Sequence, residues 1–439
     1  MKHLCVLLLV VAGCFPTKSQ DYACQTDQQC APDRTCDNGY CVVRGSGVDA
    51  RPEVDAPPSS ATCEATWPGA TVLFDPCDIG DPESAPPSFA APGIYKLDTT
   101  VATSNLTAPG GAVSTIKNVM NANGRVLTVA SFDIPAGSTV EVVGSLPLVV
   151  ASWSTISIAG TLDGSSYTGT VGATHTADQA GPGAVPQPAT CTPGTAAQTG
   201  GSDGDGGGAG GTYQTLGGNG GRGGADPNVT GGAVGTLRVL PLLAAGCSGQ
   251  AGAASGGGAA GPGGAGGGAI ALTAKTSITI AGTVTVGGAG GKGAATGNDS
   301  NNGSRPGGGG GGSGGMIGLE SAAITVTGTL AANGGGGGQG WDNVIPGGHG
   351  MTGPATATAA TGGRAPRQGG EDSGGYGGTG GFGGTGAAVG GKGNETTPGQ
   401  STGTQGGGGG GGGATGFIAW KDGAPSAGGT ITPAFTPRP

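Results

Sequence analysis

Between residues 132 and 431 the apolar positions follow one recurring pattern: two apolar residues one apart, a gap of five, two more one apart, then Gly, Thr or Ser, and a last apolar residue. A first copy has Phe132, Ile134, Val140, Val142, Gly144, Ser145 and Leu146. A second, 16 residues on, has Leu148, Val150, Ile156, Ile158, Gly160, Thr161 and Leu162. A third has Ile270, Leu272, Ile278, Ile280, Gly282, Thr283 and Val284. A fourth has Ile317, Leu319, Ile324, Val326, Gly328, Thr329 and Leu330, one residue shorter in its gap. A worn fifth keeps Phe417, Ala419, Gly429, Thr430 and Ile431, with Pro425 at one apolar position.

Alternation at period two predicts strands that bury one face, and the Gly marks a bend between strands. Each copy makes two or three short strands and cannot bury its apolar face alone. Stacking the copies in parallel buries one continuous column. The expected fold is all-β: a parallel β-helix or solenoid over residues 94–439. A β-sandwich is the competing architecture, because alternation alone does not fix topology.

Long Gly-rich insertions, at about 164–268, 288–315 and 333–415, separate the later copies. They must leave a solenoid as loops, and added Gly-rich length costs little closure entropy per residue. Two conformations are open for them. One is flexible coil; the other is packed polyproline-II strands, because Gly lets backbones approach closely.

Composition sharpens this picture. Gly (106) and Pro (30) make up nearly a third of the 439 residues, yet no strict Gly-X-Y period is present, so a collagen helix is excluded. Only 10% of residues are charged and 35% are apolar, which argues against disorder over the whole chain. The net charge of −9, with 18 Lys and Arg spread thinly, leaves no basic patch for nucleic acid.

The N-terminus reads as an address. Met1-Lys2-His3 is a short basic start and Leu4 to Val11 an apolar run, too short to span a membrane. It ends in Val11-Ala12-Gly13-Cys14, which resembles the bacterial lipobox. That resemblance implies a signal peptide over 1–13, a lipid on Cys14 and a tether over 14–23. An ordinary signal peptide with an incidental Cys14 is the alternative. Cys5 leaves with the signal peptide, so eight cysteines remain: Cys24, Cys30, Cys36, Cys41, Cys63, Cys77, Cys191 and Cys247. An even number can pair fully in an oxidising compartment. The membrane partner is then reached through a lipid and not a span. Phe15 stands where the sorting rule of enteric lipoproteins has an inner-membrane Asp, which implies the outer membrane or cell surface.

Residues 24–41 space four cysteines by five, five and four residues. So short a run needs disulfides to hold it. Zinc is the competitor, but its Cys pairs are closer and often joined by His. Residues 42–62 form a Pro-, Asp- and Ala-rich spacer. In the 63–93 region, Cys63 and Cys77 bracket one further disulfide loop, and Cys191 and Cys247 staple the first long insertion. The four-cysteine module with its Asp-Ala-Pro linker resembles the N-terminal parts of myxobacterial lipoproteins. The expected pairing, one of three possible, is Cys24–Cys36 with Cys30–Cys41. The Gly-Thr strand clusters and Gly-rich insertions of 94–439 resemble glycine-rich β-helix proteins of bacterial surfaces. That resemblance implies a structural or adhesive role without catalytic residues.

Candidate chemistry is sparse. Gly386-x4-Gly391-Lys392 has Gly393 where a phosphate loop needs Ser or Thr. The Gly-x-Ser-x-Gly matches at Gly200–Gly204 and Gly311–Gly315 lack the strand-to-helix setting of a nucleophile elbow. His175 and His349 have no ligand-spaced partner. Asp203, Asp205, Asn298, Asp299, Asn301 and Asn302 lack full calcium-loop spacing. No cofactor or metal is therefore expected. The charges Asp133, Glu141, Asp163, Lys275 and Glu320 are scattered over the strand copies and read mostly as outward-facing solubilising residues. Threonine rows such as Thr325, Thr327 and Thr329 suit strands. The expected function is a lipid-anchored, non-enzymatic surface or matrix protein, with polysaccharide or envelope proteins as partners. A ligand-specific binding module is the nearer alternative and a polysaccharide-cleaving β-helix enzyme the more distant one.

Overall fold

The structure, a computed structural model, describes residues 26, 34–37, 40–43, 67, 73–82, 87–89, 91–169, 178–200, 204–224, 228–297, 305–341, 346–364, 383–384, 386–387 and 406–438. The signal peptide, the lipobox with Cys14, Cys24, Cys30, Cys63 and the 44–62 spacer lie outside these residues. The chain divides into two compact units, 1–59 and 60–439. In the first, β1 (Arg34–Asp37) and β2 (Tyr40–Val43) form an antiparallel hairpin with Cys36 opposite Cys41 in the register.

The second unit is all-β among the described residues, and its three long sheets are parallel except at the N-terminal edge. An N-terminal set comprises β3 (Gly93–Asp98), β4 (Leu106–Thr107), β5 (Val113–Ser114) and β6 (Asn118–Asn121). There β4 pairs antiparallel with β3 and β5, and β6 with β7 (Gly124–Val129). Five three-stranded rounds follow. They are β7–β9 (Gly124–Val129, Phe132–Ile134, Ser138–Val143), β10–β12 (Leu148–Ser152, Thr155–Ile158, Thr161–Asp163) and β13–β15 (Ala269–Ala274, Ser277–Ile280, Thr283–Thr285). Next come β16–β18 (Met316–Ser321, Ile324–Val326, Thr329–Ala331). A small Gly hairpin, β19 (Gly383–Gly384) with β20 (Gly386–Ala387), lies between the fourth and fifth rounds in the chain. The fifth round is β21–β23 (Phe417–Asp422, Ser426–Ala427, Thr430–Thr432), and β24 (Phe435–Pro437) is the last described strand.

First strands of each round pair with first strands, second with second and third with third. The orders are β21-β16-β13-β10-β7, β22-β17-β14-β11-β8 and β23-β18-β15-β12-β9. The inward residues line up across rounds: Leu148, Ile270, Ile317 and Ile418 in the first sheet, Phe132, Ile156, Ile278 and Ile324 in the second, Val140, Leu162, Val284 and Leu330 in the third. All but Ile324 are 1% exposed or less, and they form one cluster. Each contributes roughly 1.5–3 kcal/mol on burial. At the N-terminal end Phe89 packs edge-on against both Tyr95 and Phe132, closing the column.

Two registers differ from the sequence expectation. Phe132 aligns with Ile156, not with Leu148. The first round therefore starts at Gly124, and successive strands recur after 22 to 24 residues instead of 16. All three sheets carry the same alternation, so periodicity alone cannot tell which sheet a run belongs to. In the fifth round Ile418 is the inward residue aligned with Ile317, while Phe417 and Ala419 face outward onto Tyr213. A one-residue slip exchanges the two faces of a strand.

The described Gly-rich segments of the insertions are packed against one another and are not solvated loops. Gly308 N–H donates to Gly408 O, Gly309 N–H to Lys292 O and Gly310 N–H to Gln250 O. The cycle then repeats with Gly411, Ala289 and Cys247 as acceptors for Gly311, Gly312 and Ser313. Three successive N–H groups thus point at three different neighbours, and the fourth returns to the first. That is the threefold screw of polyproline II. One neighbour runs parallel and two antiparallel, as the acceptor numbers rise or fall.

Segments from all three insertions close a ring: Gly208 donates to Gly308, Gly308 to Gly408, and Gly408 to Asp205 O. Collagen closes its three chains similarly, although no Gly-X-Y period is present here. Neighbours on three sides leave no room for side chains. A β-carbon on Gly310 would lie 2.0 Å from Ala209 O. Cys191 and Cys247 form the expected disulfide, with Cα atoms 5.6 Å apart. Cys77 is also disulfide-bonded.

Candidate ligand cleft

The third strands put two rows of side chains on the outer face of their sheet. Thr139, Thr161, Thr283, Thr329 and Thr430 are consecutive partners in the register, one ladder spacing of about 4.8 Å apart. The parallel row, two residues on, is Glu141, Asp163, Thr285, Ala331 and Thr432. The first row is half-buried to exposed; the second is buried. The segment following Asp163 and the segment around residue 354 flank its members Asp163 and Thr285.

Named bonds set those two walls. Asp163 accepts from Ser165 N at 2.9 Å and from the Tyr167 hydroxyl at 2.5 Å. Ser165 Oγ and Thr285 Oγ1 are 3.3 Å apart, and Ser165 Oγ accepts from Gly287 N. On the other side Asn333 Nδ2 donates to Pro354 O and Thr356 O, while Thr352 Oγ1 donates to Ser166 O. Between the walls lies a cleft of about 420 Å³ bordered by Thr161, Thr283, Asp163, Tyr167, Met351 and Pro354. Burial, reinforced by the Asp163 carboxylate, raises the Tyr167 phenol well above its usual value. The phenol therefore stays protonated and serves as a donor.

The charged residues singled out in the sequence fall differently from expectation. Asp133 is exposed on the second sheet. Glu141 and Asp163 are 7% and 9% exposed and are neighbours in the register, so they are neither scattered nor solvated. Lys275 lies over two indoles, its Nζ 3.8 Å from the Trp153 ring centre and 5.4 Å from that of Trp67.

Glu320 is buried on the first sheet, 3.8 Å from Lys421 Nζ, and among the described residues neither carboxylate oxygen is hydrogen-bonded. Burial pushes it up to about 7 against the opposing pull of Lys421 and Arg438. Outward positions on a strand are normally solvated, but here Asp163 is met by the Ser165 and Tyr167 segment and Glu320 by Lys421 and Arg438.

Other expectations resolve simply. Ser313 is buried, and its hydroxyl accepts from Cys247 N, which is no nucleophile setting. Asp205 is buried and accepts from Gly200 N, Ser255 N and Ser255 Oγ. Its oxygens are used within the fold. His349 Nδ1 accepts from Gly293 N. Among the described residues no group of three or more His, Cys, Asp or Glu is placed to hold a metal. Ser202, Asp203, His175, Asn298 to Asn302 and Gly391-Lys392 lie outside the described residues. No protein family, curated protein or solved structure matches this chain.

Proposed function

We propose that this chain is a lipid-anchored structural or adhesive protein of a bacterial outer membrane, cell surface or extracellular matrix. Its fold is a parallel β-helix, and Cys14 carries the lipid. The observation that carries the reading is the use of the Gly-rich backbone. The N–H groups of residues 307–315 are spent on three neighbouring segments of the same chain. Such a wall is suited to holding its shape and displaying a surface outside the cell. The lipobox, the four-cysteine module and the spacer support the address, and the Cys191–Cys247 disulfide suits an oxidising compartment.

A second reading rests on Glu141 and Asp163. Two carboxylates about 5 Å apart are the spacing of a retaining glycosidase, and register neighbours are separated by one ladder step. Against cleavage, Asp163 already accepts bonds from Ser165 and Tyr167. Mixing the intact lipoprotein with polysaccharide from the producing organism separates the readings. Co-sedimentation without new reducing or unsaturated ends is the expected result. Ends released in proportion to protein and time would replace the adhesive reading with the enzymatic one.

A further inference from the structure

We infer that the cleft beside Asp163 binds a neutral, hydroxyl-rich saccharide chain laid along the threonine row. The inference rests on the surface role proposed above and names the chemistry that role would recognise. The cleft volume of about 420 Å³ falls within the range of small-molecule sites, roughly 300–1,000 Å³. Its floor carries the Thr161 and Thr283 hydroxyls, half-buried and without a hydrogen bond among the described residues. Hydroxyls repeated at ladder spacing can meet successive sugar hydroxyls as donor or acceptor.

One wall is the half-buried Tyr167, whose hydroxyl is fixed on Asp163. Fixing the ring in advance lowers the entropy lost when a ligand packs against it. The opposite wall is tied down by Asn333 and Thr352, so the cleft is pre-formed. Asp163 and its neighbour Glu141 supply negative charge at the floor's edge, and the whole chain is at −9. Charge of that sign disfavours uronate-containing polymers and leaves neutral ones as the fitting class.

The test is calorimetric titration of the intact lipoprotein in detergent with cellohexaose and, separately, with hexagalacturonate. The double variant Thr161→Val/Thr283→Val removes two hydroxyls at nearly constant volume. The expected result is saturable cellohexaose binding, at least tenfold weaker binding of hexagalacturonate, and at least a tenfold loss in the variant at an unchanged melting temperature. If the double variant does not fold, Thr283→Val alone is read the same way. No saturable binding of cellohexaose, equal binding of both oligomers, or wild-type affinity in a folded variant each overturns the inference. If folded variant and wild type still co-sediment equally with native polysaccharide, the cleft assignment falls and the adhesive role stands. If cellohexaose is bound and cleaved, the cleft stands and the non-enzymatic role falls.

Discussion

Tyr167 donates its hydroxyl to Asp163 at 2.5 Å across four residues of chain, and that bond carries the turn from the third strand of the second round into the first Gly-rich insertion. Asp163 also holds Ser165 N. Asp163→Ala would leave a half-buried phenol and a buried N–H without their acceptor. A loss of about 1–3 kcal/mol is expected for such orphaned groups, measurable by chemical denaturation. In the wild type the Tyr167 phenol should not ionise before the fold is lost, because burial and the adjacent carboxylate both oppose the phenolate. Absorbance at alkaline pH reads this directly.

Gly310 and Gly428 separate the packed from the open glycines. A β-carbon at Gly310 would collide with Ala209 O, whereas one at Gly428 would meet nothing within 4 Å. Gly310→Ala should cost at least the roughly 1–3 kcal/mol of overpacking. Gly428→Ala should stay within about 0.5 kcal/mol of wild type. Equal effects at both positions would deny the packed arrangement of 306–315.

Glu320 gives a pH dependence of definite sign. Its folded pKa, about 7, lies above the ordinary 4.5. Its contribution to stability is therefore fully present below about 4.5 and is lost as pH rises through 7. The shift corresponds to roughly 3 kcal/mol at most. Glu320→Gln, which stays neutral, should remove the part of the decline between pH 5 and 8 that belongs to this group. Denaturation at both pH values checks it: the variant should gain on the wild type at pH 8 relative to pH 5. A variant that lost ground at pH 8 would mean the charged form is the stabilised one, held by Lys421 and Arg438.

The Cys191–Cys247 disulfide spans 56 residues of the first insertion. Chain entropy alone values a loop of that length at about 4 kcal/mol. Replacing both cysteines by alanine should lower the unfolding midpoint. The loss of protection should concentrate in 191–247, because the strand rounds keep their own core.

Much of the strand stack was legible in the chain. The second, third and fourth copies align residue for residue in the structure, because a Gly-Thr bend follows each pair of apolar alternations. The first copy stands one strand away from the place its pattern predicts, and the fifth one residue away. Arg125 and Thr128 interrupt the apolar run of β7, and Phe417 and Ala419 are apolar on the outward face, where Tyr213 covers them. The cleft was not legible. Its floor is ordinary strand threonine, and its walls come from residues 165–167 and 352–355, brought together by segments nearly 200 residues apart. Nor did composition distinguish coil from packed polyproline-II segments. The three-residue cycle lies in which neighbour each N–H meets, not in the residue types.

Hydrogen exchange across 306–315 and 406–416 tests the central claim, that these Gly-rich segments are a bonded part of the same body as the strands. The bonding of Gly308, Gly309 and Gly310 to three separate segments predicts amide protection comparable to that of β13 and β16. Exchange of these glycine amides at the rate of an unstructured peptide, with β13 and β16 still protected, would contradict it.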